Sequence, residues 1–263
     1  MKIKSANWIY IAAITPLLVV DFALGMWLAR NKMWLVILLA VFCVAAVAWV
    51  FRKFQMMPKS MDTYGEYYKA DLELPVDANV ELYWAEGMGQ FEFLHRVVEI
   101  VTPLLPKKGE PFMLMMNPKM MEYHGEKFMK IAVTRELKSV RTYTSMRSML
   151  GLVLPFEALA AGLLLVANFH LQLEQVIGGF WINMVGPFVV VALFGLCLFF
   201  WNKRISKDDC RLDRYLLAHF SKEEVEEYIC ISEKMLEGGK KEKEFSEHYK
   251  NDRINALRYD LYK

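Results

Sequence analysis

Few residues of this chain have the type and spacing to do chemistry. The five histidines, His95, His124, His170, His219 and His248, include no pair four residues apart, the spacing by which one helix presents two imidazoles to a metal. Cys43, Cys197, Cys210 and Cys230 show no C-x-x-C pattern, so neither a zinc ribbon nor a disulfide framework is expected and the thiols are read as reduced. Asp21 and Glu157 interrupt apolar runs, where an ionised carboxylate is costly and marks either a buried contact or a pathway. A charged pentad, Arg135-Glu136-Leu137-Lys138-Ser139, follows an apolar helical pattern, and Asp209 and Asp213 lie in the polar stretch after the last apolar run.

These groups need elements to hold them, and the composition suggests which. Hydrophobic residues make up 55% of the 263, and the 24% that are charged cluster outside long apolar runs. Such segregation suits a bilayer. Trp8 to Leu28, Met33 to Phe51, Met149 to Phe169 and Ile177 to Trp201 each approach the roughly 20 residues of a spanning helix, which predicts two helical hairpins. Lys2, Lys4, Arg52, Lys53, Lys59, Arg141, Arg147, Lys203, Arg204 and Lys207 flank one set of ends, whereas 170–176 contains no lysine or arginine. The positive-inside rule then puts both termini in the cytoplasm, with Arg30 and Lys32 as a minor exception. Lys2, Lys4 and the small residues Ala23-Leu24-Gly25 also suit a signal peptide. The length of the run, its Asp21 and the span that follows favour an uncleaved anchor. The expected division is 1–51 for the first hairpin, 52–148 for a first cytoplasmic segment, 149–201 for the second hairpin and 202–263 for a second cytoplasmic segment. With a net charge of +2 and no basic tract interleaved with aromatics, nucleic acid is not an expected partner.

The two cytoplasmic segments read as one α+β domain. Val80 to Trp84, His95 to Val101 and Phe112 to Met116 have strand composition, with Pro106-Lys107-Lys108-Gly109 as a turn. From Pro118 the period changes to that of a helix with Phe128, Ile131, Ala132, Arg135 and Ser139 on one face. Ser221 and Glu224 form a capping box before a helix carrying Val225, Tyr228, Ile229, Met235 and Leu236. Gly238-Gly239 ends it, and Lys240 to Glu244 reads as a solvated linker.

The order of these parts resembles the HtpX-type membrane zinc metalloproteases. In that family two spans precede a helix bearing H-E-x-x-H, two more spans follow, and a later E-x-x-A-D supplies the third zinc ligand. Here the matching positions read Arg135-Glu136-Leu137-Lys138-Ser139 and Asp209-Cys210-Arg211-Leu212-Asp213. Met116-Asn117-Pro118 leading to Gly125-Glu126-Lys127 resembles the strand and helix before the motif. Asp213-Arg214-Tyr215 continues the likeness, as do His248, Arg253-Ile254 and Leu257, although Tyr249 replaces a proline. Glu136 and Asp213 persist, both histidines are replaced, and Asp209 is shorter than the family's glutamate. Arginine has no lone pair to give a metal and serine is a poor zinc ligand, so the resemblance implies a degenerate site of Arg135, Glu136, Ser139, Asp209 and Asp213. No metal, cofactor or catalysis is expected there.

The substitutions suggest that Arg135 takes the place of the lost cation, close to Glu136, Asp209 and Asp213. The alternative is that Arg135 and Lys138 face solvent. The expected function is that of a non-catalytic pseudoprotease, a scaffold or regulatory subunit for another membrane protein, in the lipid bilayer of a bacterial-type inner membrane. Two alternatives stand beside it: an active metallopeptidase with an unusual ligand set, and a small transporter using Asp21 and Glu157.

Overall fold

The computed structural model describes residues 64–76, 79–89, 97–101, 111–142, 172–181, 185–235 and 240–259, with isolated positions elsewhere. The chain divides into two compact units. One comprises Met1–Ala6, Pro58–Thr144 and Ile205–Lys263, and the other Asn7–Met57 and Ser145–Arg204.

In the first unit a four-stranded sheet is built from β1 (Tyr67–Lys69), β2 (Val80–Ala85), β3 (Val98–Val101) and β4 (Phe112–Met116). Their spatial order is β1-β2-β4-β3. β2 and β4 run parallel, with Leu82 opposite Leu114, and the two edge strands are antiparallel to their neighbours. β4 contains no polar side chain, and Leu114, Met115 and Met116 are all fully buried. Successive strand residues point to opposite faces, so β4 is covered on both. On the face of Met115, it packs with Tyr64, Ala85 and Met88. β1 is short and exposed at all three residues, which is why no alternation marks it in the sequence.

The step from sheet to helix takes one residue. The Asn117 backbone N–H donates to the Val97 carbonyl at 3.0 Å, and its side-chain oxygen accepts from the Lys119 N–H at 3.1 Å. Pro118 follows at the first helical position, where its missing N–H is no loss. Helix α1 (Pro118–Arg141) is buried at Phe128, Met129, Ile131, Ala132, Val133, Thr134, Leu137, Ser139 and Val140. That is broader than the single face its periodicity predicts, because β3 and a later helix both pack on it. Helix α2 (Gly186–Leu216) contributes its residues from Ile205 onward to this unit. The Ser221 N–H donates to Glu224 at 3.0 Å and the Glu224 N–H to the Ser221 hydroxyl at 3.2 Å, completing the capping box of α3 (Lys222–Met235). Helix α4 (Lys240–Tyr259) begins where a solvated linker is expected. Lysine and glutamate are good helix formers, and polarity alone is a poor guide to loops.

The expectation of four transmembrane helices is corrected. Among the described residues no helix is long and apolar enough to cross a membrane. Of the expected spans, Trp8 to Leu28, Met33 to Phe51 and Met149 to Phe169 lie outside the described residues, isolated positions apart. The fourth, Ile177 to Trp201, is interrupted at Gly178, whose φ is 94°, and α2 starts only at Gly186. At 1.5 Å per residue the apolar stretch from Gly186 to Trp201 rises about 24 Å, short of the roughly 30 Å of hydrocarbon. Beyond it come Lys203, Arg204, Lys207 and Asp208. Composition measured apolarity but not where the helix begins. The fold is α+β. The multi-pass placement in a bacterial-type inner membrane with both termini cytoplasmic is corrected on the same ground, that no helix among the described residues is long and apolar enough to cross a membrane. Asp21 and Glu157 lie outside the described residues.

Truncating the centre of β4 tests this core. Leu114→Ala is expected to lower stability by about 2–5 kcal/mol, whereas Tyr123→Ala, at a side chain 73% exposed, should stay within about 0.5 kcal/mol. Equilibrium denaturation measures both.

Candidate functional site

Residues four apart on a helix lie one above the other on the same face. Asp209 and Asp213 on α2 have that spacing, and so do Tyr249 and Arg253 on α4. With Arg135 of α1 and Glu233 of α3 they form one connected cluster, so each of the four helices described above contributes at least one member.

Asp213 is at the centre, with its side chain 0% exposed. It accepts a two-pronged contact from Arg253, Nε at 2.7 Å and Nη2 at 2.8 Å. Arg135 Nε adds a third bond at 3.2 Å. The remaining prong of Arg253, Nη1, donates to Glu233, and both of these side chains are 4% exposed. At the more open end Arg135 Nη2 and the Tyr249 hydroxyl donate to the two oxygens of Asp209. Arg135 is 17% exposed there and Asp209 23%. Three carboxylates thus share two guanidinium groups, and charge-assisted, forked bonds of this kind are the strongest that side chains make.

The electrostatics follow from burial and pairing together. Burial alone would raise the Asp209 pKa, but Arg135 and then Arg253 outweigh it and hold the carboxyl below its ordinary value. Burial works against the charge of Arg135, yet Asp209 and Asp213 keep it protonated well above the usual arginine range. Arg253 is likewise raised, burial being overcome by its bonds to Asp213. The Tyr249 hydroxyl is pushed up by burial and by the neighbouring Asp209 charge, so it acts as a neutral donor.

Of the residues singled out by sequence, Arg135, Asp209 and Asp213 are brought into direct contact. Glu136 is the next residue of α1, about 100° around the helix from Arg135. Ser139 is one turn beyond Arg135 and buried. The solvent-facing alternative for Arg135 and Lys138 is corrected: Arg135 is held in the cluster, and Lys138 Nζ sits 4.2 Å from the centre of the Tyr215 ring. Sequence reasoning missed the roles of Glu233, Tyr249 and Arg253. The matching four-residue spacings of Asp209/Asp213 and Tyr249/Arg253 were the signal that could have joined them.

The donor set does not fit the zinc that the family resemblance implies. Asp209 and Asp213 already have their oxygens engaged by N–H and O–H donors. Among the described residues no three His, Cys, Asp or Glu side chains converge as a metal site. No protein-family profile, curated protein or solved structure matches this chain.

Removing one partner from a buried ion pair leaves the other charge stranded. Arg253→Met is therefore expected to cost about 3–5 kcal/mol of stability, read from the denaturant midpoint. Acid should weaken the more open end of the cluster. A carboxyl whose folded pKa is depressed contributes stability above its unfolded value of about 3.9, lost as pH falls through the folded one. Stability should thus fall more steeply with acid below about pH 4 in the parent than in Asp209→Asn.

Proposed function

We propose that this protein is a non-catalytic binding subunit, a pseudoprotease whose metal position is filled by a guanidinium and which acts as a scaffold or regulator for another protein. The observation that carries the reading is Arg135, set between Asp209 and Asp213. In the resembled family those three positions are zinc ligands or lie next to one. A divalent ion there would gather carboxylates from separate helices. Arg135, with Arg253 behind it, gathers the same kind of groups by forked hydrogen bonds. The chain then keeps a rigid helical unit without an activated water, and Glu136 has no nucleophile to deprotonate.

A retained fold without its chemistry is useful only through what it binds, which favours a scaffold or regulatory role. The competing reading is a peptidase with an unusual ligand set. It requires a metal to displace two arginines from Asp209 and Asp213, and like charges this close would oppose its approach.

Zinc stoichiometry separates the two. Purified protein equilibrated with zinc and passed through a desalting column should carry well under one equivalent, and its peptide cleavage should equal that of Glu136→Gln. Stoichiometric zinc with cleavage abolished by Glu136→Gln would overturn the proposal. Restoring the ligands by the combined changes Arg135→His, Ser139→His and Asp209→Glu should create zinc binding. A folded triple variant with no gain in zinc would contradict the assignment of Arg135 to a metal position.

A further inference from the structure

The second unit carries a surface that the ionic cluster does not use. Within its segment Ser145–Arg204, α2 turns Phe188, Val189, Leu193, Leu196, Phe199 and Phe200 outward, each between 49% and 77% exposed. At 100° per residue these six share an arc of about 140°. Phe194, Leu198 and Trp201, on the opposite side of the helix, are less exposed. The outward arc is therefore a continuous apolar strip between three and four turns long. Folded chains seldom leave such a strip in water, and strips of this kind mark contact surfaces.

Charge distinguishes the possible occupants. Lys203 continues the same arc and Arg204 lies at its edge; both are exposed, and among the described residues neither is paired with a carboxylate. From Gly186 to Arg204 the sequence contains no aspartate or glutamate. A second copy of the chain thus has no carboxylate to offer on this face. Paired in parallel, the two sets of cations would repel, and like charges set side by side are costly. Paired antiparallel, they would lie against the apolar start of the other helix and stay without partners. A surface that is apolar within and anionic at its border matches both halves of the strip. Phe180 and Trp181, just ahead of α2, are exposed as well, and tryptophan favours the boundary between headgroups and acyl chains.

We propose that this face of α2 docks on an anionic lipid surface, lying along one leaflet without crossing it. The six apolar side chains enter the boundary between headgroups and acyl chains, where a helix gains by burying one apolar face. Lys203 and Arg204 meet lipid phosphate oxygens at the end of the strip, as basic residues next to an apolar segment do. The opposite side of the helix faces its own unit, so only the outward arc is given to lipid.

The test uses the full-length protein and vesicles of phosphatidylcholine, with or without phosphatidylglycerol, and reads binding by flotation on a density gradient. Both vesicles should bind, the anionic ones more tightly. Lys203→Gln combined with Arg204→Gln should weaken binding to anionic vesicles about 30-fold, at about 5-fold for each cation near the surface, and leave neutral vesicles unaffected. Leu196→Gln combined with Phe200→Gln should weaken binding to both. All four positions are exposed, so the denaturation midpoint should stay near that of the parent. If the apolar variant does not fold, the cation variant decides alone. Failure to float with either vesicle, or anionic binding unchanged in the cation variant, would overturn the proposal. A discrete dimer in sedimentation, dissociated by the apolar changes and indifferent to vesicles, would overturn it in favour of a second copy.

Discussion

A carboxylate with no access to water must find its hydrogen bonds inside the protein, and Asp213 obliges the rest of the helical unit to supply them. Its three N–H partners come from α1 and α4, and the Arg253 that supplies two of them is fixed in turn by Glu233 of α3. Separations of 20 to 78 residues along the chain are closed by this one set of contacts. Loosening any helix strands a charge, and stranded buried charges are among the costliest defects a fold can carry. Stability alone would be served as well by an apolar plug of the same volume. An ionic cluster instead specifies which helix faces which, because each donor has one set of acceptors that fits.

The sheet sets where Arg135 begins. β4 is tied to the end of β3 through Asn117, and the same residue caps α1. The helix therefore leaves the sheet in a fixed direction, modified only by the bend at Gly125, whose φ is 81°. Beyond that bend the helix is buried on most of its circumference, so Arg135 has little freedom to turn away from α2. The cluster also differs from end to end. Asp213, Arg253 and Glu233 are sealed, whereas Arg135 and Asp209 remain partly open to water.

Much of this architecture could be read from the residues, and the parts that could not have physical reasons. β2, β3 and β4 lie in the runs of β-branched and apolar residues that mark them, and Ser221 with Glu224 makes the reciprocal bonds its spacing implies. β1 was invisible because three exposed residues show no alternation. The bend at Gly125 was invisible because a single glycine within a helical pattern does not declare its φ. Among the site residues, Arg135, Asp209 and Asp213 were legible as complementary charges in a motif-like order. Glu233, Tyr249 and Arg253 were not read as partners: Tyr249 and Arg253 share only the four-residue spacing of Asp209 and Asp213, and Glu233 has no local signal at all. For the fourth expected span, Ile177 to Trp201, mean apolarity did not report where the helix starts, which Gly178 and Gly186 set.

The central claim is that guanidinium groups hold the helices together by direct coupling to buried carboxylates, and a double-mutant cycle on Arg135 and Asp213 tests it most directly. With Arg135→Met, Asp213→Asn and the double variant compared by equilibrium denaturation, a coupling of about 0.5–3 kcal/mol is predicted, because each single change leaves the other residue without its partner. Effects that add to within about 0.5 kcal/mol would show that the two residues act independently and would contradict the account.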